Sequence, residues 1–313
     1  MTGGRAYDRG VAVDVRDRGE ASSEVPAARA AGVVLAGGRS SRMGNPKAAL
    51  EWHGSTLLRR TTGVLHRAGL SPVVVVRAPG QELPDLAPWV RVAEDPQEGL
   101  GPLQGIAVGL AAVAAAGAAS AFVCSTDLPF LHPAFVTRVL APLRDATGAG
   151  PDVVLPVARG FPQPLAAAYR TKLAEAVAAL VAARRLRPAF LFDEVSVLRL
   201  DDSAMLADPA LAFADPALDS VLNVNEPVDY DEARARPAPA VSVECFGVLA
   251  TGPAGRGSHE HRAATVGLAA RAVGLELDGH VLAAVNGDQT GRDPDLPLVA
   301  GDRVSFVSAD AGG

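Results

Sequence analysis

The chain has 313 residues, 49% of them hydrophobic, enough for about two domains with a sizeable core. Its 29 basic and 35 acidic residues give a formal net charge of −6, which argues against a general nucleic-acid binder but leaves room for a local basic pocket. No apolar run reaches the roughly 18 residues of a membrane-spanning helix, so no membrane partner is expected. Residues 1–29 lack the apolar stretch of a signal peptide and read as a disordered extension. Cys124 and Cys245 lie in apolar, strand-like runs without metal-type spacing. Free buried thiols in a reducing cytoplasm are expected.

Residues 33–36 (Val-Val-Leu-Ala) read as a buried strand. The chain then turns into a loop with Gly37, Gly38 and Gly44, hydroxyls at Ser40 and Ser41, and cations at Arg39, Arg42 and Lys47. Glycines let backbone N–H groups approach a ligand, and hydroxyls and cations beside them suit a polyphosphate. The pattern is neither a Walker A loop nor a dinucleotide G-x-G-x-x-G. Ser55 or Thr56 caps a helix with Leu58, Thr61, Leu65 and Ala68 on one face and Gly69 at its end. Residues 73–76, four valines, suit a central parallel strand. A short strand at 90–93 has Asp95 just beyond it. Residues 99–105 open an Ala-rich helix that runs to about 116.

A strand at 121–125 delivers Asp127 at its carboxyl end. Strands at 153–155 and 165–169, a helix over 171–185 and a strand at 195–200 lead to Asn223-Val224-Asn225-Glu226-Pro227. Strands alternating with helices predict an α/β fold with a Rossmann-like parallel sheet. Its ligand crevice lies at the carboxyl ends of the strands, where Gly37, Asp95 and Asp127 fall from three different strands. His53, His66 and His132 receive no role; His66 sits in a surface helix and His132 at a helix start.

Residues 236–240 (Arg-Pro-Ala-Pro-Ala) read as a linker between a first domain over 30–235 and a second over 241–313. In the second, Val241, Val243 and Cys245 alternate with polar residues, as in a half-buried strand. Thr265 caps a helix with Val266, Ala269, Ala270 and Val273 inward. A strand at 281–285 ends in the turn signal Asn286-Gly287, and a last strand covers 303–308. A further strand is expected somewhere within 252–265. This order suggests a small α+β domain of the β-grasp, ubiquitin-like kind.

The run Leu35-Ala36-Gly37-Gly38-x-Ser40-x-Arg42-Met43-Gly44-x-x-Lys47 resembles the signature loop of nucleotidyltransferases, most closely that of the MobA-like molybdenum cofactor guanylyltransferases. Ser125-Thr126-Asp127-Leu128-Pro129 is similar to the family's metal-aspartate motif, with Ser-Thr where Pro-Cys is common. Residues 99–105 match G-P-L-x-G, and 223–227 resemble N-x-N-T-P with Glu226 for Thr. The resemblance implies Mg²⁺-dependent transfer of GMP from GTP to molybdopterin. It makes Asp127 the metal ligand, and Arg42 and Lys47 the triphosphate cations. Leu35, Ala36, Gly37, Gly38 and Asp95 would hold the nucleoside. Asn225 is a further metal contact, and Gly101, Gly105, Asn223 and Asn225 lie toward molybdopterin. Val76-Arg77 stands where the guanylyltransferases often carry Asn. A cytidylyl or sugar-phosphate nucleotidyltransferase therefore stays open, as does a non-catalytic scaffold displaying the second domain.

Val285-Asn286-Gly287, Leu298 to Asp302 (L-x-x-G-D) and Ala311-Gly312-Gly313 resemble the MoaD-like sulfur carriers, the small subunit of molybdopterin synthase. A ThiS-like carrier of the thiamine pathway is the alternative. The resemblance implies that the Gly312-Gly313 end is adenylated by an ATP-dependent activating enzyme and thiocarboxylated. It then delivers sulfur inside the synthase large subunit.

Overall fold

The computed structural model describes residues 30–37, 47–144, 150–252 and 255–309. The expectations for residues 1–29 and for Gly38, Arg42, Gly312 and Gly313 lie outside these described residues.

Apolar runs form the interior strands of the larger sheet. In chain order its main strands are β1 (Ala30–Leu35), β2 (Val73–Arg77), β3 (Val90–Glu94), β4 (Ser120–Ser125), β5 (Val153–Ala158), β6 (Ala166–Arg170) and β7 (Val197–Asp201). They are arranged β7-β5-β6-β4-β1-β2-β3. Central strands buried on both faces need unbroken apolar sequence, as in Val33, Val34, Val74, Val75, Phe122 and Val123. Helices α1 (Leu57–Arg67) and α3 (Pro133–Leu140) cover one face, with Leu58, Leu65, Phe135 and Val139 in the core. Helices α2 (Gly101–Ala115) and α4 (Ala174–Ala182) cover the other through Leu103, Ile106, Leu110 and Val177. A Cβ on Gly109 would lie 2.3 Å from Val33 Cγ1, so this glycine lets α2 rest directly on β1.

The sheet is mixed, because β6 runs antiparallel to both β4 and β5. Residues 159–165 between β5 and β6 are too few for the crossover of about a dozen that a parallel partner requires. The helix expected over 171–185 is a 3-10 turn (Thr171–Leu173) followed by the shorter α4.

After α5 (Pro227–Ala235) comes a second sheet of β8 (Ala240–Cys245), β9 (Ser258–Arg262), β10 (Val281–Val285), β11 (Asp288–Thr290) and β12 (Arg303–Ser308). Its order is β9-β8-β12-β10-β11, with β8 and β12 parallel and the other pairs antiparallel. Helix α6 (Val266–Ala272), capped by Thr265 Oγ1 at 3.2 Å from Leu268 N, closes a separate core with Val241, Val243, Val304 and Phe306. β9 is the strand expected within 252–265. β11 was not anticipated. Asn286 (φ 56°) and Gly287 (φ 92°) both turn left-handed and fold β10 back on it.

Helix α1 departs from its expected surface role. Its outer side is covered by the second region, and Arg59, Arg60, Thr62 and Gly63 are all buried. Thr61 and Thr62 satisfy their hydroxyls on Leu57 O and Leu58 O at 2.8 and 3.0 Å. Both terminal nitrogens of Arg67 donate to the Asp302 carboxylate at 2.8 Å, and Arg59 pairs with Asp293. His66 itself is exposed and stacks on Trp89, with ring centroids 4.2 Å apart. Among the described residues no helix is long and apolar enough to cross a membrane.

Candidate functional site

The chain leaves β1 for β2 on one side, while β4 joins β1 on the other. Such a reversal of strand order opens a crevice at the carboxyl ends of the strands. A cavity of about 450 Å³ lies there. Leu35, Ala36 and Gly37 line it from the end of β1, Asp95 from beyond β3, Asp127 from beyond β4, and Gly101 and Gly105 from α2.

The start of α2 gives the cavity an electropositive wall. Its N-cap residue, Leu100, offers no side-chain acceptor, and Pro102 occupies the first turn. The first-turn N–H groups and the helix dipole therefore favour an anion at this end. Gly101 has φ +71°, a conformation that turns the chain into the helix and that side chains with a Cβ adopt rarely. Gly105 faces Leu35, and a Cβ there would come within 3.1 Å of Leu35 Cδ2.

Opposite that wall an ammonium sits between two oxygens. Lys47 Nζ donates to Asp127 Oδ2 at 3.1 Å and to Asn225 Oδ1 at 2.8 Å. These three residues come from distant stretches, and local contacts bring them together. Lys47 opens a 3-10 turn closed by Leu50 N on Lys47 O at 3.2 Å. The Asp127 carbonyl accepts from Val224 N at 2.9 Å, which draws the Asn-rich segment alongside. Asp229 Oδ2 accepts from the backbone N–H groups of Glu226 and Asn225, and these bonds hold its carboxyl below the usual range. The second oxygen of Asp127 accepts from Ser125 Oγ.

Two hard oxygens converging on one positive group form a donor set that suits a divalent cation, with waters or phosphate completing the shell. Among the described residues there is no cluster of three or more His, Cys, Asp or Glu that could by itself hold a metal ion. Cys124 lies directly before this segment, but burial pushes its thiol far up, and the nearby Asp127 adds to the effect. It is an inert core residue.

Asp95 is placed by its N–H on Arg77 O at 2.9 Å, and its Oδ1 accepts from Gln97 N at 3.0 Å. Arg77 lines the cavity and pairs with Glu94 at 2.8 Å. Sequence reading passed over Gln81. Its amide nitrogen donates to Ala36 O at 3.0 Å and its oxygen accepts from Ala78 N at 2.9 Å, clamping the mouth of the cavity. Its only signal was a polar residue three positions after Ala78 in a Pro-rich loop. Asn223 is exposed and outside the cavity lining.

The MobA-like NTP transferase domain family matches residues 32–197. A probable molybdenum cofactor guanylyltransferase of Mycobacterium ulcerans is 43% identical over 204 residues, covering 63% of this chain and 96% of the relative. One from Mycobacterium tuberculosis is 43% identical over 175 residues, covering 54% and 82%. Among solved structures, molybdopterin-guanine dinucleotide biosynthesis protein A of Archaeoglobus fulgidus shares the fold. Its TM-score is 0.50 at 22% identity, over 65% of this chain and 96% of that one.

Proposed function

The chain belongs to the MobA-like NTP transferase family and is a nucleotidyltransferase, and from that premise we propose that it transfers GMP from GTP to molybdopterin in molybdenum cofactor biosynthesis. The observation that carries this reading is the meeting of Lys47, Asp127 and Asn225 opposite the uncapped start of α2. A nucleotidyl transfer needs the triphosphate held, its charge offset, and the α-phosphorus set in line with the attacking oxygen. In this reading the first turn of α2 holds phosphate oxygens. Lys47, together with Arg42, offsets their charge. Leu35, Ala36, Gly37, Gly38 and Asp95 hold the nucleoside. Gly101, Gly105, Asn223 and Asn225 face the molybdopterin side.

Asp127 and Asn225 would hold Mg²⁺, which neutralises polyphosphate charge when bound. Ser125, by donating to the far oxygen of Asp127, turns the other oxygen toward Lys47 and the cavity. Guanine is favoured over cytosine by the Leu35-Ala36-Gly37-Gly38 run with Gly101-Pro102-Leu103. The test is incubation of the full chain with molybdopterin, Mg²⁺ and each of the four nucleoside triphosphates. A dinucleotide product from GTP is expected. A product from CTP alone would make the protein a cytidylyltransferase instead.

A second reading concerns residues 241–313, taken as a MoaD-like or ThiS-like β-grasp domain beyond the 236–240 linker. Its support is the mixed sheet with α6 across one face and the left-handed Asn286-Gly287 turn. The activating enzyme and the synthase large subunit would be its partners. The buried free thiols of Cys124 and Cys245 suit the reducing cytoplasm where this chemistry belongs. Deleting Gly312 and Gly313 should abolish ATP-dependent adenylation and the oxygen-to-sulfur mass increase. Persistence of both after the deletion would refute the carrier reading.

A further inference from the structure

Arg60 lies in the middle of α1 with its guanidinium fully buried. Burial, with the charge of Arg67 adding to it and that of Asp302 opposing it, lowers its pKa to about 10. The side chain makes two bonds that point in different directions. Nε donates to Pro129 O at 2.7 Å, and Nη1 donates to Leu298 O at 3.3 Å. Pro129 is two residues beyond Asp127 in the loop between β4 and α3. Leu298 belongs to the C-terminal region, in the segment before β12. One planar fork thus ties the loop that carries the proposed metal ligand to the C-terminal region.

The surrounding contacts fix that tie. Gly63, one turn along α1, lies against the ring of Pro297, and a Cβ there would come within 2.3 Å of Pro297 Cδ. Arg67 donates to Pro297 O and to Asp302, and Arg59 holds Asp293. The 293–302 segment is therefore clamped along α1, and Arg60 is the residue that reaches through to the loop beyond Asp127.

We propose that Arg60 is a positioning residue for nucleotidyl transfer, through which docking of the C-terminal region sets the position of the Asp127 loop. The proposal rests on the transferase reading of Asp127. It makes the C-terminal region part of the transferase's working structure.

The test uses the full chain, with Arg60→Met to remove the fork, Arg60→Lys to restore one donor, and Gly63→Ala to wedge the joint at Pro297. Each is measured for guanylyl transfer and for hydrogen–deuterium exchange of residues 126–131 and 294–302. Arg60→Met and Gly63→Ala should each lower kcat about tenfold, with KM for GTP changed less than twofold, and speed exchange across 126–131. Arg60→Lys should recover part of kcat. A purely structural loss would lower the folded fraction and speed exchange across the whole chain alike, with kcat per folded molecule unchanged and no excess at 126–131. If Arg60→Met fails to fold, Gly63→Ala decides alone. Faster exchange at 294–302 with kcat and exchange at 126–131 as in the parent chain would overturn the proposal. If the parent chain transfers no guanylyl group, the transferase reading fails, while faster exchange at 126–131 in Gly63→Ala still upholds the mechanical coupling.

Discussion

The cavity and the joint each put a cation between oxygens, and they are built in opposite ways. At the cavity, the Lys47 ammonium lies between Asp127 and Asn225, with its side chain 20% exposed. At the joint, Arg60 and Arg67 are guanidiniums set in planar forks against Pro129 O, Leu298 O and the Asp302 carboxylate, which is 3% exposed. An ammonium on a flexible stem can swing away when a better cation or a phosphate arrives. A buried fork on fixed acceptors has nowhere to go. The chemistry of exchange and the chemistry of fastening are separated by solvent access and by the choice of basic side chain.

The comparison is sharpest if the fastening is broken first. Asp302 accepts from both Arg67 nitrogens, from Asn286 Nδ2 at 2.9 Å and from Val299 N at 2.7 Å. Asp302→Ala leaves Arg67 part-buried and unpaired, so a loss of about 3–5 kcal/mol in chemical denaturation is expected. Asp127→Asn should do the reverse. It keeps the fold, judged by melting temperature, but lowers guanylyl transfer about a hundredfold or more, because charge stabilisation at the phosphates is lost. Near-parent turnover by a folded Asp127→Asn protein would remove Asp127 from the mechanism.

Lys47→Ala comes next. It should weaken GTP binding about tenfold, roughly 1.4 kcal/mol, and GMP binding less, as read by calorimetry. Equal losses for the two nucleotides would show that Lys47 does not sense the outer phosphates.

The smallest effect is a pH slope. Burial, the dominant influence, lowers the His132 pKa below the ordinary 6.5, although nearby Asp215 and Asp302 oppose it. The unfolded chain then binds more protons than the native one as pH falls below 6.5, so His132 withdraws stability through its lower, folded value. His53 and His66 shift in the same direction. His132 Nδ1 accepts from Ala134 N as a helix cap, a role Asn can fill. His132→Asn should therefore make denaturation midpoints at pH 5 and pH 7 more alike, and an unchanged slope would assign it elsewhere.

The sequence made the cavity largely legible and the joint not at all. Asp95 and Asp127 sit just beyond apolar strands, so their convergence follows from strand direction alone. Lys47 was visible from its loop, and its two oxygen partners were each visible from a motif. The pairing itself needed the Val224 N to Asp127 O bond, which no local pattern encodes. The reversed β6 escaped because Ala166, Ala167 and Ala168 carry no sign of strand direction. Helix α1 was read correctly on its sheet side. Its arginines received no reading, because a charged stripe looks the same whether water or another part of the chain covers it. Gly63 in mid-helix was the one hint of close approach.

The acceptors of Arg60 are main-chain carbonyls, and this has a consequence for how the joint endures through sequence drift. Substitution at 298 cannot delete an acceptor that every amino acid supplies, and the same holds at 129 for any residue that keeps the loop's path. The Arg60 tie therefore rests on one codon, whereas the Asp302 carboxylate and Gly63 must be kept by their own residue types. Descendants of this chain that keep the two regions docked should retain arginine at 60, while position 298 is held apolar by its burial in the core and not by its bond to Arg60.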